Sequence, residues 1–599
     1  MKKTLLIALL IALPLFSIFV INLVHFRPFF IDMFYEQVFV EFLLASPQSM
    51  TSLGLPGSRF VNDELDDHTR DSEDASHERA KESLAALLKY DVGSMSAEQA
   101  RSRKILIWFL NDIIEARQYR DHSYRISHNS GVQLNLTDFM INLHEVNDVS
   151  DLDDYVDRLN QFDRVFAEVM ESLLIAEAQG IVQPTFMIDK ILSDMTSFIR
   201  MPILENPLHL DFSQKLAGIV TLSEEERESY RSQFSRAMDN SVFPAYHLYV
   251  DHFTRLRAAS NDDDGVWKLP EGGAYYQYRI KSHTTTDYTA EYLHELGLKE
   301  VNRIDLEMRE ILSSLGVETD SVTTAMKKFG VNEQYLFEDS EEERQQILDG
   351  YTAIIEEISL GMSDAFNKLP VAPLEVRAVP AFREQTAAGG YYQGPPLDGS
   401  RPGRFFANLY DIKATKKFGM RTLAYHEGVP GHHFQIAIAQ ELEGLPTFRS
   451  VVPFTSFSEG WALYAERLAW ELGYQTDPLD NLGRLSAEKF RAVRLVVDTG
   501  IHHNRWTRER AIAYLSANTD MADSEVVSEI ERYIADPGQA LAYKVGMLKI
   551  LELRDNARVA LGEEFDLRKF HDVVLAHGPL PLTILGELVD EYIHSTGLE

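Results

Sequence analysis

Not one of the 599 residues is cysteine. That absence removes disulfide frameworks, cysteine nucleophiles, iron–sulfur clusters and thiolate metal sites together, so any metal must be held by His, Asp or Glu. It leaves the compartment open, because an oxidising space permits disulfides without requiring them. Basic residues are scarce as well: 58 stand against 92 acidic ones, a formal net charge of −34. A surface of that sign repels phosphate backbones, which argues against nucleic acid as a partner, and it disfavours docking on anionic lipid. No repeat at a fixed period is evident. What is present, 45% hydrophobic and 25% charged residues, is an ordinary globular composition and excludes a disordered or fibrous chain.

The long hydrophobic run lies at the start. Lys2 and Lys3 precede an apolar stretch from Leu5 to Val24, interrupted by Pro14, Ser17 and Asn22. A secretory core usually runs about 7–15 residues and ends in a small-residue cleavage site, whereas this stretch approaches the roughly 20 residues that span a bilayer. The expectation is an uncleaved signal anchor over residues 1–25 with the Lys pair in the cytoplasm. The chain would then be a single-pass protein of a bacterial inner membrane, its catalytic domain periplasmic or otherwise extracytoplasmic. Residues 26–60, aromatic and apolar, read as a juxtamembrane stem, and 61–599 as one large helical domain.

Apolar residues recur at helical spacing through Ala100–Arg117, Leu152–Gln179, Thr289–Leu315 and Glu341–Lys368. Two stretches read as loops, Ser260–Gly273 and Gly389–Arg404, and Leu374–Phe382 has the Val and Pro pattern of a short strand. The fold class is mainly α, with a small β element beside the segment that carries the chemistry.

That segment is Tyr425-His426-Glu427-Gly428-Val429-Pro430-Gly431-His432-His433, inside a helical pattern from about Phe418 to Glu443. Two His at i and i+4 on one helix can grip a single zinc, with the Glu after the first activating water. Here i+4 is Pro430, which cannot ligate. On a straight helix i+7 returns to within about 20° of the starting face, which favours His433, while a break at Pro430 and Gly431 would swing His432 round instead. Both stay candidates: one ligates, and the other supports the site or binds substrate. His294-Glu295 opens the same way with no second His after it, so it carries no such reading.

A further helical segment, Glu459-Gly460-Trp461-Ala462-Leu463-Tyr464-Ala465-Glu466, begins 33 positions after His426. It is similar to the gluzincin pattern, where a Glu on the next helix, often followed by Gly, an aromatic and Ala, is the third zinc ligand. That likeness implies Glu459 as a ligand, and Glu466 one face-turn on could orient a ligating His. For the developing oxyanion the candidate donors are His502, His503 and Tyr543, the first two adjacent and so pointing in different directions. Arg401 and the Gly389–Tyr392 stretch are candidates to line a cleft. Arg505 and Arg508 could hold a substrate carboxylate, although ion pairing with this acidic protein is the plainer role.

Three strings taken together, His426 to His433, Ser458-Glu459-Gly460-Trp461-Ala462 and Asp498-Thr499-Gly500-Ile501-His502-His503, resemble the family called domain of unknown function 885. Ser400-Arg401-Pro402-Gly403 and Asn408-Leu409-Tyr410 do so too. The resemblance runs from about residue 60 to the C-terminus and implies a gluzincin-type metallopeptidase. Its helical relatives, neurolysin-like and carboxypeptidase Taq-like enzymes, have a long cleft between two helical lobes. The expected function is hydrolysis of oligopeptides by attack of zinc-bound water, assisted by Glu427. The alternatives are a metallohydrolase of non-peptide amides or esters, or a membrane-tethered binding protein with a decayed site.

Overall fold

Side chains that satisfy the free N–H groups of a first turn set where many of the helices begin. Ser96 and Gln99 form a reciprocal cap that opens helix Ala97–Ala116. Thr289 caps Ala290–Ser314, Ser340 caps Glu341–Ser359, and Asp477 with Pro478 opens Pro478–His502. The protein, described by a computed structural model over residues 27–54, 58–380, 384, 388–395 and 401–597, is mainly helical with one small sheet. The pattern over Leu152–Gln179 divides into Val149–Leu159 and Phe162–Ala178.

Apolar faces of these helices gather into two cores. One holds Tyr35, Tyr275, Phe405, Tyr425, Phe434, Trp461 and Phe570. The other holds Phe162, Phe166, Tyr249, Val493 and Tyr533. Helices Ala290–Ser314 and Pro478–His502 pack along each other and serve both cores: Leu293 and Leu495 face the first, Ile304 and Val496 the second. Their backbones approach at Gly297, where a Cβ would stand 2.8 Å from the Leu495 and Val496 side chains. Only the smallest residue fits there.

The sheet has three strands, β1 (Leu374–Ala378), β2 (Gly390–Gln393) and β3 (Gly403–Ala407), in the order β1-β3-β2. β3 is central, parallel to β1 with Leu374 opposite Gly403, and antiparallel to β2 with Gly390 opposite Ala407. The buried Phe405 of β3 meets Tyr351 of helix Glu341–Ser359 edge-on at 5.0 Å. On β2, Gly390 lies against Leu423, so the sheet backs the helix that carries His426.

Three expectations are corrected. The stretch Gly389–Arg404, read as a loop, holds β2 and the start of β3. Part of the expected 26–60 stem forms helices Ile31–Leu44 and Pro47–Leu53, and Tyr35 is wholly buried against the first core, so these residues belong to the folded body. The continuous helix expected from Phe418 to Glu443 is two helices, Met420–Glu427 and His432–Gln440.

Candidate metal centre

The interruption between those two helices decides the site. Gly428 and Gly431 take ψ near −114° and −127°, conformations outside the helix, and the Val429–Pro430 peptide is cis. The chain doubles back so tightly that a Cβ on Gly431 would lie 2.0 Å from the His426 carbonyl oxygen and 2.3 Å from that of Tyr425. The Trp461 indole N–H donates to the Pro430 carbonyl at 2.8 Å in the buried interior and pins the reversal. A new helix then starts at His432, with its own rotational phase.

The second helix therefore turns His432, not His433, toward His426. Their rings stand perpendicular at 89°, with centroids 4.9 Å apart. The Glu459 Oε2 atom of helix Thr455–Glu471 lies 3.3 Å from His432 Nε2 and 3.6 Å from His426 Nε2. All three donor atoms fall within 4.8 Å of one another. Zinc held at its usual distances of about 2.0–2.2 Å keeps tetrahedral ligands about 3.3 Å apart, so two imidazoles and a carboxylate at these separations fit it.

The charge around the cluster fits a cation as well. His426 Nδ1 donates to Glu466 Oε1 at 2.7 Å, which fixes the ring's orientation and turns Nε2 toward the cluster. Burial would push the His426 imidazolium down, but the Glu459 and Glu466 carboxylates override it and raise its pKa to about 10. Burial likewise works to raise the Glu459 carboxyl, yet His432 and His426 hold it far below the usual carboxylate range. Glu427, buried one residue from His426, has an Oε2 atom with no hydrogen-bond partner among the described residues, and Glu459 Oε2 shares that condition.

His433 faces the other way. Its Nδ1 pairs with the Tyr392 hydroxyl of β2 at 3.0 Å, and its close neighbour is Gly403 of β3. Burial lowers its pKa to about 4, against a hydrogen bond to the Ala372 backbone. It locks the sheet to the His432 helix. Arg401 lies beside Tyr392, close enough for its charge to act on that hydroxyl.

The oxyanion candidates separate cleanly. His502 accepts the Val266 N–H on Nδ1 at 3.2 Å and donates from Nε2 to the Tyr533 carbonyl at 2.9 Å. Both nitrogens are engaged by buried backbone, so the expectation of an oxyanion donor there is corrected: His502 holds the core together. His503 is exposed at the end of the same helix, its charge felt by His294, and no contact joins it to the cluster among the described residues. His294 itself bonds Thr499 at 2.8 Å. Tyr543 is different. Helix Ala542–Leu561 crosses helix Thr455–Glu471 where Gly546 touches Gly460, and a Cβ on Gly460 would lie 2.4 Å from the Gly546 Cα. Tyr543 stands one turn before that crossing and Glu459 one residue before it. Burial, then the Glu459 carboxylate, raise the Tyr543 hydroxyl pKa.

Several residues of the surroundings carry no local sequence signal. Trp461 was visible only as the aromatic after Glu459-Gly460, not as the anchor of Pro430. Gln435, one turn beyond His432, has both amide atoms buried without partners among the described residues. Tyr351 feels the Glu427 charge from a helix some 70 residues earlier in the chain, a proximity that only folding creates. Arg508, as its plainer reading had it, pairs with Glu531 at 2.7 Å, and Arg505 stacks on Trp267 at 5.0 Å.

A mainly helical protein with two His and two Glu gathered from helices Met420–Glu427, His432–Gln440 and Thr455–Glu471 is thus defined by its fold and side chains. The chain belongs to the family described as bacterial protein of unknown function (DUF885), whose model matches residues 47–589. Among solved structures it is similar to that of a candidate lipoprotein from Colwellia psychrerythraea, at 32% identity and a TM-score of 0.91, covering 94% of this chain and 99% of that one. It is also similar in fold to a candidate lipoprotein of unknown function from Shewanella oneidensis, at 17% identity and a TM-score of 0.73, covering 93% and 99%. None of the curated proteins compared matches it.

The likeness corrects the single-pass inner-membrane placement. Lipoproteins are held by attached lipid, not by a spanning helix, and among the described residues no helix is long and apolar enough to cross a membrane. The Leu5–Val24 segment on which the signal-anchor reading rested lies outside the described residues.

Proposed function

We propose that this chain is a zinc-dependent hydrolase of the gluzincin type that cleaves oligopeptides, with His426, His432 and Glu459 as ligands. The observation that carries the reading is the convergence of those three donors beside the buried, unpartnered Glu427 carboxylate oxygen. When bound, zinc polarises a carbonyl and lowers the pKa of water. Glu427, next to a ligand in sequence, accepts the proton of the attacking water and later delivers it to the leaving amine. Glu466 holds the His426 ring through Nδ1, so that Nε2 is the nitrogen that would ligate once a metal displaces its proton. Tyr543, adjoining Glu459, donates to the carbonyl oxygen as negative charge grows on it. The two helical cores flanking the long helix pair favour a two-lobed, neurolysin-like or carboxypeptidase Taq-like arrangement with the site between lobes. The test is hydrolysis of a mixed oligopeptide library by zinc-loaded protein, read by mass spectrometry. Cleavage that disappears in Glu427→Gln while zinc content holds supports the reading; cleavage that survives both that change and full zinc removal overturns it.

A further inference from the structure

Arg494, on helix Pro478–His502, is buried with only 6% of its surface exposed. Its guanidinium lies over Phe490 at 4.2 Å and over Tyr543 at 4.5 Å. Nε donates to the Tyr533 hydroxyl at 2.9 Å and one terminal nitrogen, Nη2, reaches Glu529 Oε2 at 3.1 Å. The other, Nη1, is buried and has no hydrogen-bond partner among the described residues. A guanidinium carries its donors in a rigid planar fork, so fixing two edges fixes the third.

The charge count around it is uneven. Glu529 also accepts from Arg532 at 3.0 Å and from the Tyr533 hydroxyl at 2.5 Å, so one carboxylate serves two guanidiniums. The next acid along, Asp536, is engaged by Arg279. A buried donor left without an acceptor is costly unless a polar group completes it. That donor lies one aromatic ring from the metal cluster: Arg494 stacks on Tyr543, and Tyr543 adjoins Glu459 through the Gly460–Gly546 crossing. Arg494 therefore touches Tyr543, and Tyr543 in turn lies close enough to Glu459 to feel its charge.

We infer that Arg494 anchors the free C-terminal carboxylate of the substrate, so that the enzyme works from the C-terminal end of a peptide. This inference rests on the hydrolytic reading above. A carboxylate on Nη1 gains a charge-assisted hydrogen bond and satisfies the buried donor. The same anchor sets the distance between the chain end and the carbonyl presented to Tyr543.

The experiment compares one library of oligopeptides prepared as free acids and as C-terminal amides. With zinc-loaded wild type, kcat/KM for the amides is expected to fall about 10- to 100-fold below that for the acids, the worth of one hydrogen bond to a charged group. Arg494→Gln should cleave both forms at the lower rate with zinc content unchanged, and Arg494→Lys should recover part of the preference. The comparison within the wild type needs no variant, so a variant that fails to fold does not shelter the inference. Calorimetric titration of zinc-loaded Glu427→Gln with the same two libraries reads the anchor without turnover. Tighter binding of acids to that variant, with no cleavage by wild type, sinks the hydrolytic reading and keeps the anchor. Equal cleavage of acids and amides keeps hydrolysis and overturns the anchor, as does equal binding.

Discussion

Glu466 stands behind His426 with a 2.7 Å hydrogen bond, and both side chains are buried. A carboxylate in that place holds the ring's orientation and makes it a better ligand. Glu466→Gln keeps the shape but not the charge. Zinc affinity measured by chelator competition is expected to drop about 10- to 100-fold, while the fold persists. His502 teaches the opposite lesson, because its buried ring serves the core. Burial lowers its pKa from 6.5 to about 4, with the Tyr533 hydrogen bond opposing. Below its ordinary pKa the unfolded chain takes up a proton that the native ring refuses, so this residue's contribution to stability declines as pH falls from about 6.5 to about 4. His502→Gln loses hydrogen bonds worth about 1–3 kcal/mol at neutral pH. Its deficit in denaturant midpoint should be largest near pH 8 and shrink toward pH 4; a deficit that is flat or grows on acidification would contradict the assignment.

At the scale of elements, the reversal at residues 428–431 converts a sequence that looks like one helix into a corner that brings His426 and His432 together. Gly431→Ala places a methyl 2.0 Å from a backbone oxygen, so the two helices must part and His432 must move relative to His426. Zinc affinity should fall at least about tenfold, since displaced ligands bind less well, even if far-ultraviolet circular dichroism is unchanged. Retained affinity would show that the tight reversal does not set the ligands. This element also marks the limit of what sequence alone could decide. The motif, the Glu459 helix and the place of Glu466 behind His426 were readable because each is a local spacing. The choice between His432 and His433 was not, because each residue shifts the phase by about 100° and the residue at which the second helix restarts depends on Trp461 gripping Pro430. Ala290–Ser314 was legible almost to the residue through the helical spacing of its apolar residues. By contrast β2, four residues long with no alternation, pairs only through a distant strand, and read as a loop.

For the whole molecule, the ligands join three helices whose apolar faces, at Tyr425, Phe434 and Trp461, share one core. On the proposed zinc site, metal binding and folding are linked: saturating zinc is expected to add stability that grows with the logarithm of its excess over the dissociation constant, about 4 kcal/mol at a thousandfold excess. Removing it with a chelator should lower Tm by several degrees, and restoring zinc should reverse the shift. Long-range packing was the part least visible in the sequence. Residues expected to form a separate stem are folded into the body through Tyr35, and His502, chosen for its neighbours in the chain, serves the core through Val266 and Tyr533. The measurement that bears most directly on the account is zinc per chain, by elemental analysis after equilibration with zinc and dialysis, for wild type, His432→Ala and His433→Ala. One zinc in wild type and His433→Ala with none in His432→Ala is the predicted result. Zinc absent from wild type, or kept by His432→Ala and lost from His433→Ala, would contradict it.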